Sequence, residues 1–163
     1  MPSDALTTLA ARAGARLKAQ GLMLVTAESC TGGWVAEAVT AIAGSSDWFE
    51  RGFVTYSNAA KQEMLGVSAG TLAAHGAVSE QTACEMAAGA LVRSRAQVAV
   101  AITGIAGPAG GTPEKPVGTV CFAWSRHTGA SVAQTRRFEG DRASVRRQSV
   151  IAALQGVLEL LEG

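Results

Sequence analysis

The sequence predicts a layered α/β/α domain built on a mixed sheet, partly parallel, with an antiparallel hairpin added. Three observations point to that class. Apolar runs of strand length alternate with segments whose apolar residues recur at helical spacing. The first such run leads into a turn of small residues, Thr26-Ala27-Glu28-Ser29-Cys30-Thr31-Gly32-Gly33, and then into a helical segment. Toward the C-terminus, two further runs flank Arg126-His127-Thr128-Gly129, the pattern of a hairpin. Strands joined through helices form parallel pairs whose two faces are both covered, hence the layers.

Each element has a local reason. Residues 4–20 put Leu6, Leu9, Ala10, Ala13 and Leu17 on one helical face, with Ser3 as a candidate cap and Gly21 after the end. Residues 22–26 read as a buried strand. Residues 34–43 turn Trp34, Val35, Ala38, Val39 and Ile42 inward and close at Gly44; 44–47 is a loop. A second strand covers 52–57, and Asn58 is the expected cap of a short helix over 59–65. Another short helix is expected over 70–75. Ser79 can cap a longer one, in which Ala83, Met86, Ala87, Ala90 and Leu91 share a face. Residues 98–102 are apolar throughout, as in a central strand. The stretch 103–116 holds Gly104, Gly107, Pro108, Gly110, Gly111, Pro113 and Pro116, a long loop of the kind that serves function or mobility. Strands over 117–124 and 131–138 form the hairpin. Asp141 can cap the last helix, with Val145, Ser149, Ala152, Ala153, Gly156, Val157 and Leu160 facing one way. No repeat or linker interrupts the pattern, so one domain over residues 1–163 is expected.

Composition narrows the function classes. With 163 residues, 48% hydrophobic and 17% charged, the chain can bury a real core. Only 5% is aromatic, so small side chains must do much of the packing. A formal net charge of +1 gives no general reason to expect nucleic acid or a membrane surface as partner. No apolar run approaches the roughly 20 residues of a spanning helix, and no signal peptide is evident. Cys30, Cys84 and Cys121 are odd in number and widely spaced, as suits a reducing cytoplasm; no Cys/His spacing suggests zinc, and no metal or cofactor is expected.

The turn at 26–33 is the first chemical candidate. It offers three nucleophilic side chains, Ser29, Cys30 and Thr31, followed by Gly32 and Gly33, where a helix begins and its first N–H groups lack partners. An anion or a developing oxyanion is favoured there. The plainer alternative is that Ser29 or Thr31 only caps the helix. The two histidines, His75 and His127, adjoin no nucleophile motif, which leaves lysine as a possible base. Of Lys18, Lys61 and Lys115, Lys61 follows a strand end that carries Tyr56. A lysine can act as base only if neutral, which burial favours; otherwise Lys61 is a solvated helix lysine. A tyrosine hydroxyl can relay or orient the proton. The loop from Thr103 and Gly104 to Gly107 is a second glycine-rich strand end, and ligands of open α/β sheets bind outside such ends. Arg142 and Arg146 lie one helical turn apart at the start of the last helix, either a phosphate grip or a solvated basic face.

These stretches, together with Gly-Phe-Val-Thr-Tyr-Ser-Asn (52–58), Gly-Ala-Val-Ser (76–79), Thr-Gly-Ile-Ala-Gly-Pro (103–108) and Lys-Pro-Val-Gly-Thr-Val (115–120), resemble the CinA C-terminal domain family in its stand-alone form. The resemblance covers nearly the whole chain. It implies hydrolysis of the carboxamide of nicotinamide mononucleotide to nicotinic acid mononucleotide and ammonia, in salvage of the pyridine ring into NAD. It implies a serine/lysine dyad with a tyrosine, which maps onto Ser29, Lys61 and Tyr56. It also suggests a homodimer. The separate activity of the N-terminal domain carried by longer CinA proteins is not expected. On this reading Thr31, Gly32 and Gly33 receive the oxyanion, Thr103 and Gly104 wall the pocket, and Arg142 and Arg146 hold the phosphate. A non-catalytic nucleotide-binding module and a Cys30-dependent amidase are the alternatives.

Overall fold

The computed structural model describes residues 5–162, so the expected cap at Ser3 lies outside the described residues. The elements run α1 (Ala5–Ala19), β1 (Leu24–Glu28), α2 (Trp34–Thr40), β2 (Phe49–Val54), α3 (Asn58–Leu65), α4 (Ala69–His75), α5 (Glu80–Val92), β3 (Val98–Gly104), β4 (Thr119–Arg126), β5 (Ser131–Arg137) and α6 (Arg142–Glu162). The sheet order is β2-β1-β3-β4-β5. β1 pairs in parallel with β2 and β3, while β3–β4 and β4–β5 are antiparallel. The strand expected to be central, β3, is the central one.

Alternation along the strands builds two unlike cores. Leu24 in β1, Val98, Val100 and Ile102 in β3, and Val120, Phe122 and Trp124 in β4 join a core with α1, α2 and α6. Val25, Ala27, Ala99, Ala101, Cys121 and Ala123 point the other way, onto Ala83, Met86, Ala87 and Ala90 of α5. The second face is nearly all small side chains, which lets α5 approach closely. Trp48 and Trp124 lie against Gly14 and Gly156, where a Cβ would overlap the indole rings. Among the described residues, no helix is long and apolar enough to cross a membrane.

Several boundaries differ from expectation, each for a local reason. β1 starts two residues later and runs through Glu28, because its pairing with β3 continues to Glu28↔Ile102. β2 lies earlier than 52–57, since it takes its register from β1, Leu24↔Phe49 to Glu28↔Val54. Ser57, not Asn58, caps α3, its hydroxyl accepting from the Ala60 N–H at 3.0 Å. The expected loop at 44–47 contains a short 3-10 helix, Ser45–Asp47. Ser79 caps α5 through Thr82 N–H, and Asp141 accepts from Ser144 N–H at the start of α6.

The topology decides where a site can form. From β1 the chain moves to β2 on one side, and from β2 it returns to β3 on the other. The carboxyl ends of β1, β2 and β3 thus meet at a switch point, where a crevice opens in an α/β sheet.

Candidate active site

The crevice is a cavity of about 240 Å³ lined by Ser29, Tyr56, Lys61, Thr103, Gly104 and Arg142, among others. Its floor is a side-chain pair. Lys61 Nζ lies 2.9 Å from Ser29 Oγ, and donates to the carbonyls of Thr55 at 3.0 Å and Tyr56 at 3.2 Å. Lys61 is only 1% exposed and is the largest fully buried side chain of the described residues. Burial lowers its pKa below the ordinary 10.5. A neutral amine has two N–H bonds and one lone pair. With the two carbonyls on two of its N–H groups, the third position of Nζ faces Ser29 Oγ, to which an ammonium donates and at which a neutral amine would direct its lone pair. The solvated-lysine alternative is therefore excluded by the fold.

The turn that carries Ser29 is held from within. Glu28, fully buried at the end of β1, accepts from Thr31 Oγ1 at 2.7 Å and from the N–H groups of Gly33, Val35 and Ala36 at 3.2, 2.9 and 3.0 Å. Gly32 N–H donates to the Ser29 carbonyl at 3.0 Å. Gly32 and Gly33 have φ of 59° and 102°, a region that favours glycine. Thus the donors expected to receive an oxyanion at Gly32 and Gly33 are already engaged. Thr31 is fully buried on Glu28, and none of the three lines the cavity. The anion that the start of α2 favours is supplied by the protein itself.

Cys30 lines the cavity but its thiol is pushed up to about 12, mainly by burial. At neutral pH it stays protonated, which opposes the Cys30-dependent alternative. Gly104 packs so tightly that a Cβ would come within 3.1 Å of Cys30 Sγ and 2.7 Å of Val120 Cγ2. Thr103 Oγ1 donates to the Ala77 carbonyl at 2.8 Å and so ties the end of β3 to the segment before α5.

The remaining expected residues divide. Tyr56 reaches Lys61 through its backbone carbonyl; the residue is 63% exposed, and its hydroxyl accepts from Arg142 at 3.2 Å. Arg142 also donates to the Gly107 carbonyl at 2.8 Å and stands at the cavity rim. Arg146 does not line the cavity. It donates to the carbonyls of Cys30 at 3.0 Å and Thr31 at 3.1 Å, and its guanidinium lies 5.5 Å from the Trp34 ring centroid. One helical turn separates a rim cation from a cation packed behind the turn that carries Ser29. Among the described residues, no group of three or more His, Cys, Asp or Glu is placed to hold a metal ion.

Sequence reasoning missed Glu28 and Asn58. Asn58 lines the cavity instead of capping α3. Glu28 had a signal: an acid just before a helix start is a common partner for its free N–H groups. Ending β1 at residue 26 hid it.

Comparison with known proteins gives a consistent picture. The model of the CinA C-terminal domain matches residues 6–161. The nicotinamide-nucleotide amidohydrolase PncC of Escherichia coli K12 is 57% identical over 155 residues, covering 95% of this chain and 94% of that protein. The protein of the same name from Pseudomonas putida is 52% identical over 158 residues, covering 96% and 98%. The crystal structure of the competence/damage inducible protein CihA from Agrobacterium tumefaciens superposes with a TM-score of 0.95 at 49% identity, covering 100% of this chain and 99% of that one. With a family match over nearly its whole length, the same mixed sheet and relatives more than half identical, this chain belongs to the CinA C-terminal domain family.

Proposed function

We propose that this protein hydrolyses the carboxamide of nicotinamide mononucleotide to nicotinic acid mononucleotide and ammonia, with Ser29 as nucleophile and Lys61 as base. The observation that carries the reading is the buried Lys61 amine 2.9 Å from Ser29 Oγ at a strand-end cavity. The names of the amidohydrolases to which the chain is similar support the substrate. A binding module without catalysis has no use for a desolvated amine aimed at a hydroxyl, and burying one carries a cost.

In the first step Lys61 Nζ takes the Ser29 proton as Oγ bonds to the amide carbon and the carbonyl electrons move onto oxygen. The ammonium so formed sits beside the new charge and favours it. The Cys30 N–H, the amide next to the nucleophile, is assigned as oxyanion donor, since Gly32 and Gly33 are engaged. Lys61 then gives its proton to the amide nitrogen, the C–N bond breaks and ammonia leaves. Water, deprotonated by Lys61, attacks the acyl-enzyme; the acid is released and Ser29 regains its proton. The pyridinium charge of the substrate makes the carbonyl more electrophilic and disfavours a protonated Lys61 nearby.

The phosphate is assigned to the rim, on Arg142, with Thr103 and Gly104 walling the pocket between the two ends. The three free cysteines fit a reducing cytoplasm, and a homodimer belongs to the same reading. The test is release of ammonia from nicotinamide mononucleotide but not from free nicotinamide. Ser29→Ala should lower turnover about a thousandfold or more with the fold intact; near wild-type turnover in that variant removes Ser29 from the mechanism.

A further inference from the structure

Charged side chains hold the turn that carries Ser29 from two sides. Glu28 takes the N–H groups that open α2. Opposite it, Arg146 donates from Nε to the Cys30 carbonyl and from its terminal nitrogen to the Thr31 carbonyl. The second contact begins a chain. The peptide unit that carries the Thr31 carbonyl also carries the Gly32 N–H, which donates to the Ser29 carbonyl at 3.0 Å. The peptide unit that carries the Ser29 carbonyl also carries the Cys30 N–H. Two peptide units in series therefore join the guanidinium to the amide beside the nucleophile. Hydrogen bonds in series polarise one another, more so where water is excluded, and a cation at the carbonyl end strengthens the last donor. Cys30 is 6% exposed and Thr31 is fully buried, so solvent screening along the chain is slight.

We propose that Arg146 is a positioning residue for the hydrolysis: acting through the Thr31–Gly32 and Ser29–Cys30 peptides, it orients and polarises the Cys30 N–H that receives the oxyanion. The proposal depends on Ser29 being the nucleophile. It separates the two arginines by task, Arg142 toward the substrate and Arg146 toward the backbone that carries the nucleophile. Trp34, under the guanidinium, and the Nε bond to Cys30 fix its orientation.

The experiment compares wild type, Arg146→Met and Arg146→Lys on nicotinamide mononucleotide and its dephosphorylated riboside. Reactive sites are counted by endpoint labelling of Ser29 with a fluorophosphonate, so that kcat is expressed per competent site. Arg146→Met should lower kcat by about 10- to 100-fold, less than outright loss of an oxyanion donor. KM should stay within about twofold and the preference for nucleotide over riboside should be kept. The midpoint of the rising pH limb should not move, because Lys61 is not the group affected. Arg146→Lys should recover part of kcat, since an ammonium keeps the positive charge at these carbonyls but lacks the planar fork of the guanidinium. A raised KM with lost nucleotide preference would assign Arg146 to the phosphate and overturn the proposal. So would unchanged kcat per labelled site, which leaves only a folding role, or a shifted pH limb, which makes Lys61 the target. Full activity of Ser29→Ala would instead sink the parent reading, an outcome that the Arg146 variants cannot mimic.

Discussion

The floor and the rim of the cavity are built on opposite principles. On the floor, Lys61 and Ser29 are 1% and 7% exposed, and Nζ is held by two backbone carbonyls beside Ser29 Oγ. At the rim, Tyr56 is 63% exposed and meets Arg142 through one hydroxyl contact. Desolvation favours the neutral form of a lysine, so the base of the proposed mechanism suits a closed floor. In the proposed function, recognition of a phosphate needs a cation whose donors can be redirected when the ligand arrives, which suits an open rim. The difference predicts that proton transfer and recognition can be changed separately.

The largest effect should come from breaking the floor. Lys61→Met should lower kcat about a thousandfold, or roughly 4 kcal/mol of barrier, with KM little changed. Lys61→Arg should be as inactive, because arginine stays charged; good activity in that variant would end the lysine-base assignment.

The floor should also be visible in pH titrations. Burial lowers the Lys61 pKa in the folded state from 10.5. The rate should therefore rise with pH through a midpoint below 10.5. Between the lowered pKa and 10.5 the unfolded chain binds more protons than the folded one, so stability rises with pH across that window. Denaturant unfolding of wild type and Lys61→Met in parallel should show that extra rise only in wild type. Matching slopes would mean that Lys61 is not held neutral.

Breaking the rim should do less to chemistry and more to selection. Arg142→Ala should reduce kcat/KM for the nucleotide by about 10- to 100-fold, the range of one or two charge-assisted contacts. Activity on the riboside should hardly change. An unchanged preference would move the phosphate elsewhere. Tyr56→Phe removes only the hydroxyl that accepts from Arg142 and leaves the carbonyl on Lys61, so a loss of about threefold or less is expected. A loss as large as that of Lys61→Met would restore the hydroxyl to the proton path.

Cys30→Ala should be the mildest change to chemistry. The thiol is protonated at neutral pH, and its backbone N–H survives the substitution. Turnover within about threefold of wild type, and insensitivity to thiol reagents, would separate the serine from the neighbouring cysteine.

What the residues determined by themselves was local. Apolar periodicity places α1, α5 and α6, and the unbroken apolar run of β3 marks the centre of the sheet, because burial on both faces requires it. Small residues and glycines at the ends of β1 and β3 marked the edge where the site lies. Tertiary structure decided which side chains share a dielectric and a partner. Lys61 meets Ser29 across 32 positions, and Arg146 meets Cys30 across 116. Nothing in the spacing of Arg142 and Arg146 says that one faces a cavity and the other the back of a turn. That depends on where the start of α6 meets the turn after β1, and on whether Glu28 already occupies the N–H groups an anion would have taken. Periodicity specifies which face of an element is buried; a pKa, or the direction of a lone pair, depends on atoms that the chain brings together only when the sheet closes.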